Sequence, residues 1–121
     1  MEDWRDILNA AEIAHMLVEV ASDLQADDIV MLDIGKVTTF ADYFVILSAE
    51  SDRQMRAIRD DMVSHLKKSG TPLGHSEGRA DGGWLLLDFG EVIVHIFGTQ
   101  ERDFYRLEEL WAGAPQVVRV Q

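Results

Sequence analysis

Between residues 82 and 98 the chain reads GGWLLLDFGEVIVHIFG, and three side chains in it could do chemistry: the indole of Trp84, the carboxylate of Asp88 and the imidazole of His95. A carboxylate and an imidazole are common acid–base partners, and Asp-Phe-Gly is the triplet that holds magnesium in protein kinases. Neither chemistry finds its other parts. A kinase needs a glycine-rich loop, a strand lysine and a catalytic loop in a much longer chain than these 121 residues. Asp88 and His95 fall several residues apart along a hairpin, too far for a direct pair, and a lone strand histidine beside a tryptophan is more often a packed, hydrogen-bonded residue. His15, His65 and His75 stand in unrelated contexts, and no metal-binding spacing such as H-x-x-x-H occurs. The chain has no cysteine, which removes thiolate chemistry and disulfides. No catalytic residue, metal or cofactor is therefore expected. What remains for Trp84 is recognition, because tryptophan and tyrosine bury large areas at little rotamer entropy and anchor interfaces.

A two-residue turn at Phe89-Gly90 would pair Asp88 with Glu91, Leu86 with Ile93 and Trp84 with His95. Cross-strand partners share a face. Trp84, Leu86, Ile93 and His95 then lie on one side, with Asp88 and Glu91 at the turn end. Leu85, Leu87, Val92, Val94 and Ile96 lie on the other, and this aliphatic set is the core face. The first set mixes aromatic, imidazole and acid, as a half-exposed recognition face would. As core residues, the same aromatics would need no functional role.

The elements that carry this hairpin follow from periodicity. Trp4, Ile7 and Leu8 suggest a short amphipathic start. Asn9 and Glu12 read as a capping box, and Ile13, Leu17, Val20 and Leu24 recur at helical spacing, which predicts a helix over 10–25. DIVMLDI (28–34) and DYFVILSA (42–49) read as strands, with KVTTFA as a loop or short irregular strand between them. Ser51 and Gln54 form a second capping box, and Met55, Ile58, Met62 and Leu66 supply the buried stripe of the helix that follows. Lys67 and Lys68 suit its C-terminal dipole, Gly70 its C-cap, and Pro72 ends it. PLGHSEG holds a short strand, RADGG a turn, and ERDFYRLEELW (101–111) a short helix. In that helix Phe104, Leu107 and Trp111 are expected to pack inward, and Tyr105, Glu108 and Glu109 to look outward. The tail AGAPQVVRVQ reads as a loose extension or a short edge strand. The fold class is α/β: a single domain over residues 1–111, with residues 112–121 as a tail. Its mixed β-sheet carries the two main helices on one face, antiparallel at the hairpin and open to a parallel pairing near the N-terminus.

A hydrophobic content of 47% and a charged content of 27% describe a soluble globular chain. No apolar run approaches the ~20 residues of a membrane helix, and the acidic start MEDWRDILNA is unlike a leader peptide. These features predict a cytosolic protein. The net charge is −11, and residues 1–50 carry 11 acidic against 2 basic side chains. Such a chain is repelled by a phosphate backbone and favours a basic partner. Arg53, Arg56 and Arg59 are hemmed in by Asp52, Asp60 and Asp61 and read as a solvated helix face, so little direct contact with nucleic acid is expected.

DIVMLDIG, ADYFVILSAESDRQMRAI, EGRADGGWLLLDFGEVIVHIF and ERDFYRLEELW together resemble the ribosomal silencing factor (RsfS, Iojap-like) family over roughly residues 8–111. The ordered set S-x-R-Q, E-G-x4-G-W, D-x-G-x-V-x-V-H and R-x-F-Y-x-L-E-x-L-W is specific, where any one piece would be weak. The resemblance implies a nucleotidyltransferase-like α/β domain without the catalytic set. In agreement, no Gly-Ser turn precedes an acid pair, and no D-x-D stands on a strand. It also implies a translational repressor that docks on the large ribosomal subunit at its protein number fourteen. There it blocks joining of the small subunit sterically, under nutrient limitation, and members dimerise when free. Carried onto this chain, the resemblance places the partner contact on Trp84, Asp88, His95, Tyr105, Glu108 and Leu110. The alternative is a residual nucleotidyltransferase or nucleotide-binding domain.

Overall fold

A computed structural model describes residues 8–121, so the amphipathic start expected at Trp4 and Ile7 lies outside the described residues. The first helix, α1 (Ala10–Asp23), opens on the expected capping box. The Asn9 side chain accepts from the Glu12 backbone N–H at 2.8 Å, and the Glu12 carboxylate accepts from the Asn9 N–H at 3.1 Å. Strands β1 (Asp27–Asp33) and β2 (Tyr43–Ala49) follow, then helix α2 (Asp52–Lys68). Ser51 caps α2 through the Gln54 N–H, but the Gln54 side chain accepts from Glu50 at 2.8 Å rather than from Ser51. Its amide nitrogen meanwhile donates to the carbonyls of Leu24 and Gln25, tying the start of α2 to the end of α1. At the other end Gly70 takes a positive φ of 86°, and the Thr71 and Gly70 N–H groups return to Leu66 and Lys67 in a Schellman closure.

Strands β3 (His75–Arg79), β4 (Trp84–Asp88) and β5 (Val92–Gly98) come next, then helices α3 (Thr99–Tyr105) and α4 (Leu107–Leu110), and strand β6 (Gln116–Val120). The six strands form one mixed sheet in the order β3-β4-β5-β2-β1-β6. Its parallel pair is β2 with β5, while β1–β2, β1–β6, β3–β4 and β4–β5 are antiparallel. The tail therefore becomes an edge strand, hydrogen-bonded along β1.

The central strands are apolar on both faces, which explains their unbroken hydrophobic runs. Ile29, Met31, Val45, Leu47, Leu85, Leu87, Val92, Val94 and Ile96 face α1 and α2 and form the main core with Leu17, Ile58, Met62 and Leu66. The aliphatic face expected of the hairpin is this face. Val30, Leu32, Phe44, Ile46 and Phe97 point the other way into a smaller cluster with Leu107 and Ala114. Among the described residues, α3, α4, the turn after them and the segment carrying Ile34, Phe40 and Ala41 cross this second face.

Two further local expectations are corrected. Trp84 pairs with Phe97, Leu86 with His95 and Asp88 with Ile93, a register two residues away from the expected one. The connection is wider because the Phe89 N–H donates to the Val92 carbonyl, and the Asp88 carboxylate accepts from the Gly90 N–H at 2.7 Å, where Gly90 has φ 95°. A shift of two keeps every side chain on its expected face. The second correction is the 101–111 helix, which breaks at Arg106, a residue in left-handed conformation at φ 47°. Helical spacing does not carry across that break. Leu107 is buried as expected and Trp111 is half-buried against the smaller cluster, but Phe104 is 80% exposed rather than turned inward.

Candidate partner-binding face

On the face away from α1 and α2 the aromatic side chains form a continuous row. Phe104 meets Tyr105 edge-on at 5.1 Å between centroids, and Tyr105 lies 4.6 Å from Trp84. Trp84 packs on Phe97 at 4.9 Å and reaches His95, which stands edge-on to Phe44 at 4.6 Å. Phe44 touches Trp111 at 5.2 Å, and Trp111 touches Phe40 at 5.6 Å. Each such pair contributes ~0.5–1.5 kcal/mol beyond the area it buries. Within the row Phe44, His95 and Phe97 are buried and Trp84 and Trp111 half-buried, while its ends Phe104 and Phe40 are 80% and 56% exposed; Leu110 of α4 is 76% exposed. Large apolar side chains left open together on one face are the mark of an interaction surface.

The expected contact residues sort themselves on this row. Trp84 is half-buried, with one edge on a shallow cavity of about 260 Å³ that Glu77, Gly78 and Leu86 also line. Tyr105, which packs on Trp84, and Leu110 of α4 are exposed. Asp88 sits at the hairpin end, engaged with the Gly90 N–H. Glu108 is not a free rim carboxylate: it pairs with the Nε of Arg102, a buried guanidinium that also reaches Asp28. Asp28 in turn holds Arg119 of β6 through two bonds of 2.9 and 3.0 Å. His95 is the clearest correction. It is 4% exposed, beneath Trp84 and against Phe44, and cannot touch a partner directly. Its Nδ1 accepts from the Trp84 indole N–H at 3.2 Å, and burial lowers its pKa from 6.5 to about 4, so it is neutral at physiological pH.

Sequence reasoning missed Phe40, Phe44 and Phe97 as parts of this face. Phe97 follows the same alternation as His95 and was within reach of it. Phe40 was not, since its position depends on how the 37–42 loop folds over Trp111. Asp88 and His95 are not hydrogen-bonded to each other, and among the described residues no three His, Cys, Asp or Glu side chains are placed to hold a metal ion. The cleft at the ends of the parallel strands β2 and β5 is about 280 Å³ and lined by Glu50, Asp52, Asp81 and Glu101 without a basic side chain, an environment that repels phosphate.

A family model described as ribosomal silencing factor during starvation matches residues 7–121. This chain belongs to the ribosomal silencing factor family. It is 35% identical over 108 residues to the ribosomal silencing factor RsfS of Bacillus subtilis, covering 89% of this chain and 92% of that one. It is 34% identical over 99 residues to the mouse protein named mitochondrial assembly of ribosomal large subunit protein 1, covering 79% of this chain and 43% of that one. A crystal structure of a Chromobacterium violaceum protein superposes with a TM-score of 0.83 at 32% identity, covering 87% of this chain and 88% of that one. This silencing-factor fold leaves one sheet face only partly covered, and the aromatic row occupies it. No helix among the described residues is long and apolar enough to cross a membrane.

Proposed function

We propose that this silencing factor binds the large ribosomal subunit through its aromatic face and, seated there, keeps the small subunit from joining. The observation that carries the reading is the row from Phe104 through Tyr105 and Trp84 to Phe40, open at its ends on a sheet whose other face is sealed by helices. Its receptor would be the basic ribosomal protein numbered fourteen in the large subunit. A chain with net charge −11 is drawn to a basic protein and repelled by exposed RNA. The name of the mouse relative supports the large subunit as the place of action, and the family's description supports repression during starvation.

Trp84, Tyr105 and Leu110 are the contact residues of this reading, joined by Phe104, with Asp88 at the rim; His95, which is buried, and Glu108, which pairs with Arg102, are not among them. Blocking is steric, so the factor acts in the cytoplasm without catalysis or cofactor. Free of the ribosome, the same face would be covered by a second copy of the chain. Sedimentation of the protein with purified subunits tests the proposal. Co-migration with large subunits and fewer whole ribosomes on adding small subunits is the expected result. A protein left at the top of the gradient while ribosomes assemble normally would overturn it.

A further inference from the structure

His95 takes no part in the proposed contact, yet it is the one buried histidine of the sheet, and it meets the indole that the contact depends on. Its Nδ1 lies 3.2 Å from Trp84 Nε1. An indole nitrogen is only a donor, so Nδ1 must be the acceptor and the ring proton must sit on Nε2. Nε2 is buried without a hydrogen-bond partner among the described residues. Leaving a buried polar atom unsatisfied is costly, so packing alone would favour an aliphatic residue here. The acceptor for Trp84 is the polar function that this imidazole performs. Trp84 is held on its other sides by Phe97 and Tyr105, which restrain the ring by contact but offer its N–H no acceptor in this arrangement.

We propose that His95 is a positioning residue: its Nδ1 holds the Trp84 indole in one orientation, so that the aromatic face meets its partner already ordered. Pre-ordering raises affinity by removing the entropy cost of fixing the side chain on binding. The inference rests on the ribosome-binding reading for its effect on affinity, but not for its effect on Trp84 itself.

Two substitutions of His95 separate the acceptor from the packing. Asn places its Oδ1 where the imidazole has Nδ1, and keeps an acceptor in a smaller side chain. Leu fills the space and removes the acceptor. A positioning role predicts that His95→Asn retains slow exchange of the Trp84 indole N–H and most of the large-subunit affinity. His95→Leu should show fast exchange and about a tenfold loss. A purely structural role predicts the reverse order, with Leu tolerated and Asn damaging, and that result would overturn the proposal. The wild-type protein supplies a test free of folding risk. The imidazole ¹⁵N shifts should show a bare Nδ1 and a protonated Nε2, and the opposite tautomer would equally sink the idea. Trp84→Ala keeps the two readings apart. If it binds ribosomes as well as wild type, the contact reading fails; if it loses binding while His95→Leu does not, only the positioning role fails.

Discussion

The two faces of the sheet use the same strands and come out differently. One is aliphatic and closed: α1 and α2 lie over Val45, Leu47, Val94 and Ile96, and Leu17, Ile58, Met62 and Leu66 reach it fully buried. The other is aromatic and half open, crossed by the short α3 and α4 and by the segment carrying Ile34, Phe40 and Ala41, with Trp84 and Ile93 partly exposed. The closed face is where the free energy of folding is concentrated, because apolar area removed from water is the dominant favourable term. The open face retains apolar area that a partner can still bury. Stability and binding are thereby assigned to opposite sides of one sheet, and substitutions on the two sides should separate them.

The largest effect is expected on the closed face. Leu17→Ala removes a fully buried side chain between α1 and the sheet and should cost ~2–5 kcal/mol. That would appear as a lower urea midpoint, while the folded fraction still binds large subunits normally. A change in affinity as large as the change in stability would mean that the faces are not separable.

Acid should act from the open side. His95 is neutral when folded, with its pKa lowered to about 4, and charges near 6.5 when unfolded. The unfolded chain therefore binds the extra proton between those values. This contribution is fully present above pH ~6.5 and is lost as pH falls toward about 4, on the order of 3 kcal/mol in all. Its neighbours on β4 and β2 are Trp84, Leu86, Phe44 and Ile46, none of which titrates in this range. Urea titrations at several pH values should show a slope in this window that His95→Leu flattens. An unchanged slope in the variant would assign the acid sensitivity to the carboxylates.

Trp84→Ala should weaken large-subunit binding by ~2 kcal/mol or more, the size expected of an aromatic anchor, and leave a folded domain by circular dichroism. Binding retained by the folded variant would remove Trp84 from the site, and loss of the fold would make it a core residue. The smallest change in stability is expected from Phe104→Ser together with Leu110→Ser. Both side chains are mostly exposed, so the melting midpoint should barely move, within ~0.5 kcal/mol for each. Affinity should still fall in sedimentation. A clear loss of stability would show that these residues support the fold rather than extend the contact.

Much of this architecture was legible beforehand where local rules operate. Asn9 and Glu12 mark the start of α1, Ser51 the start of α2 and Gly70 its end, because caps are satisfied within a few residues of chain. The division of the hairpin into two faces survived an error in its register, since a slip of two preserves side-chain parity. The site was less legible. Tyr105 and Glu109 were expected outside and are, but Phe104 depended on helical phase that Arg106 interrupts. His95 was open to two readings, a contact on Trp84's face or a packed, hydrogen-bonded strand histidine, and the burial by Phe44 and Trp84 decides for the second. The salt-bridge chain from Glu108 through Arg102 and Asp28 to Arg119 joins four separate segments and left no mark in the spacing of any one of them.

By itself, the amino-acid order determined the two main helices and their starts, the central strands, the aliphatic face and an acidic surface suited to a basic partner. These depend on neighbours along the chain and on summed charge. Only the tertiary structure decided which residues share the open face, that β2 pairs in parallel with β5, that β6 closes the sheet edge, and that His95 lies under Trp84. Those outcomes depend on contacts between segments distant in sequence, whose geometry exists only after the sheet has assembled around its closed face.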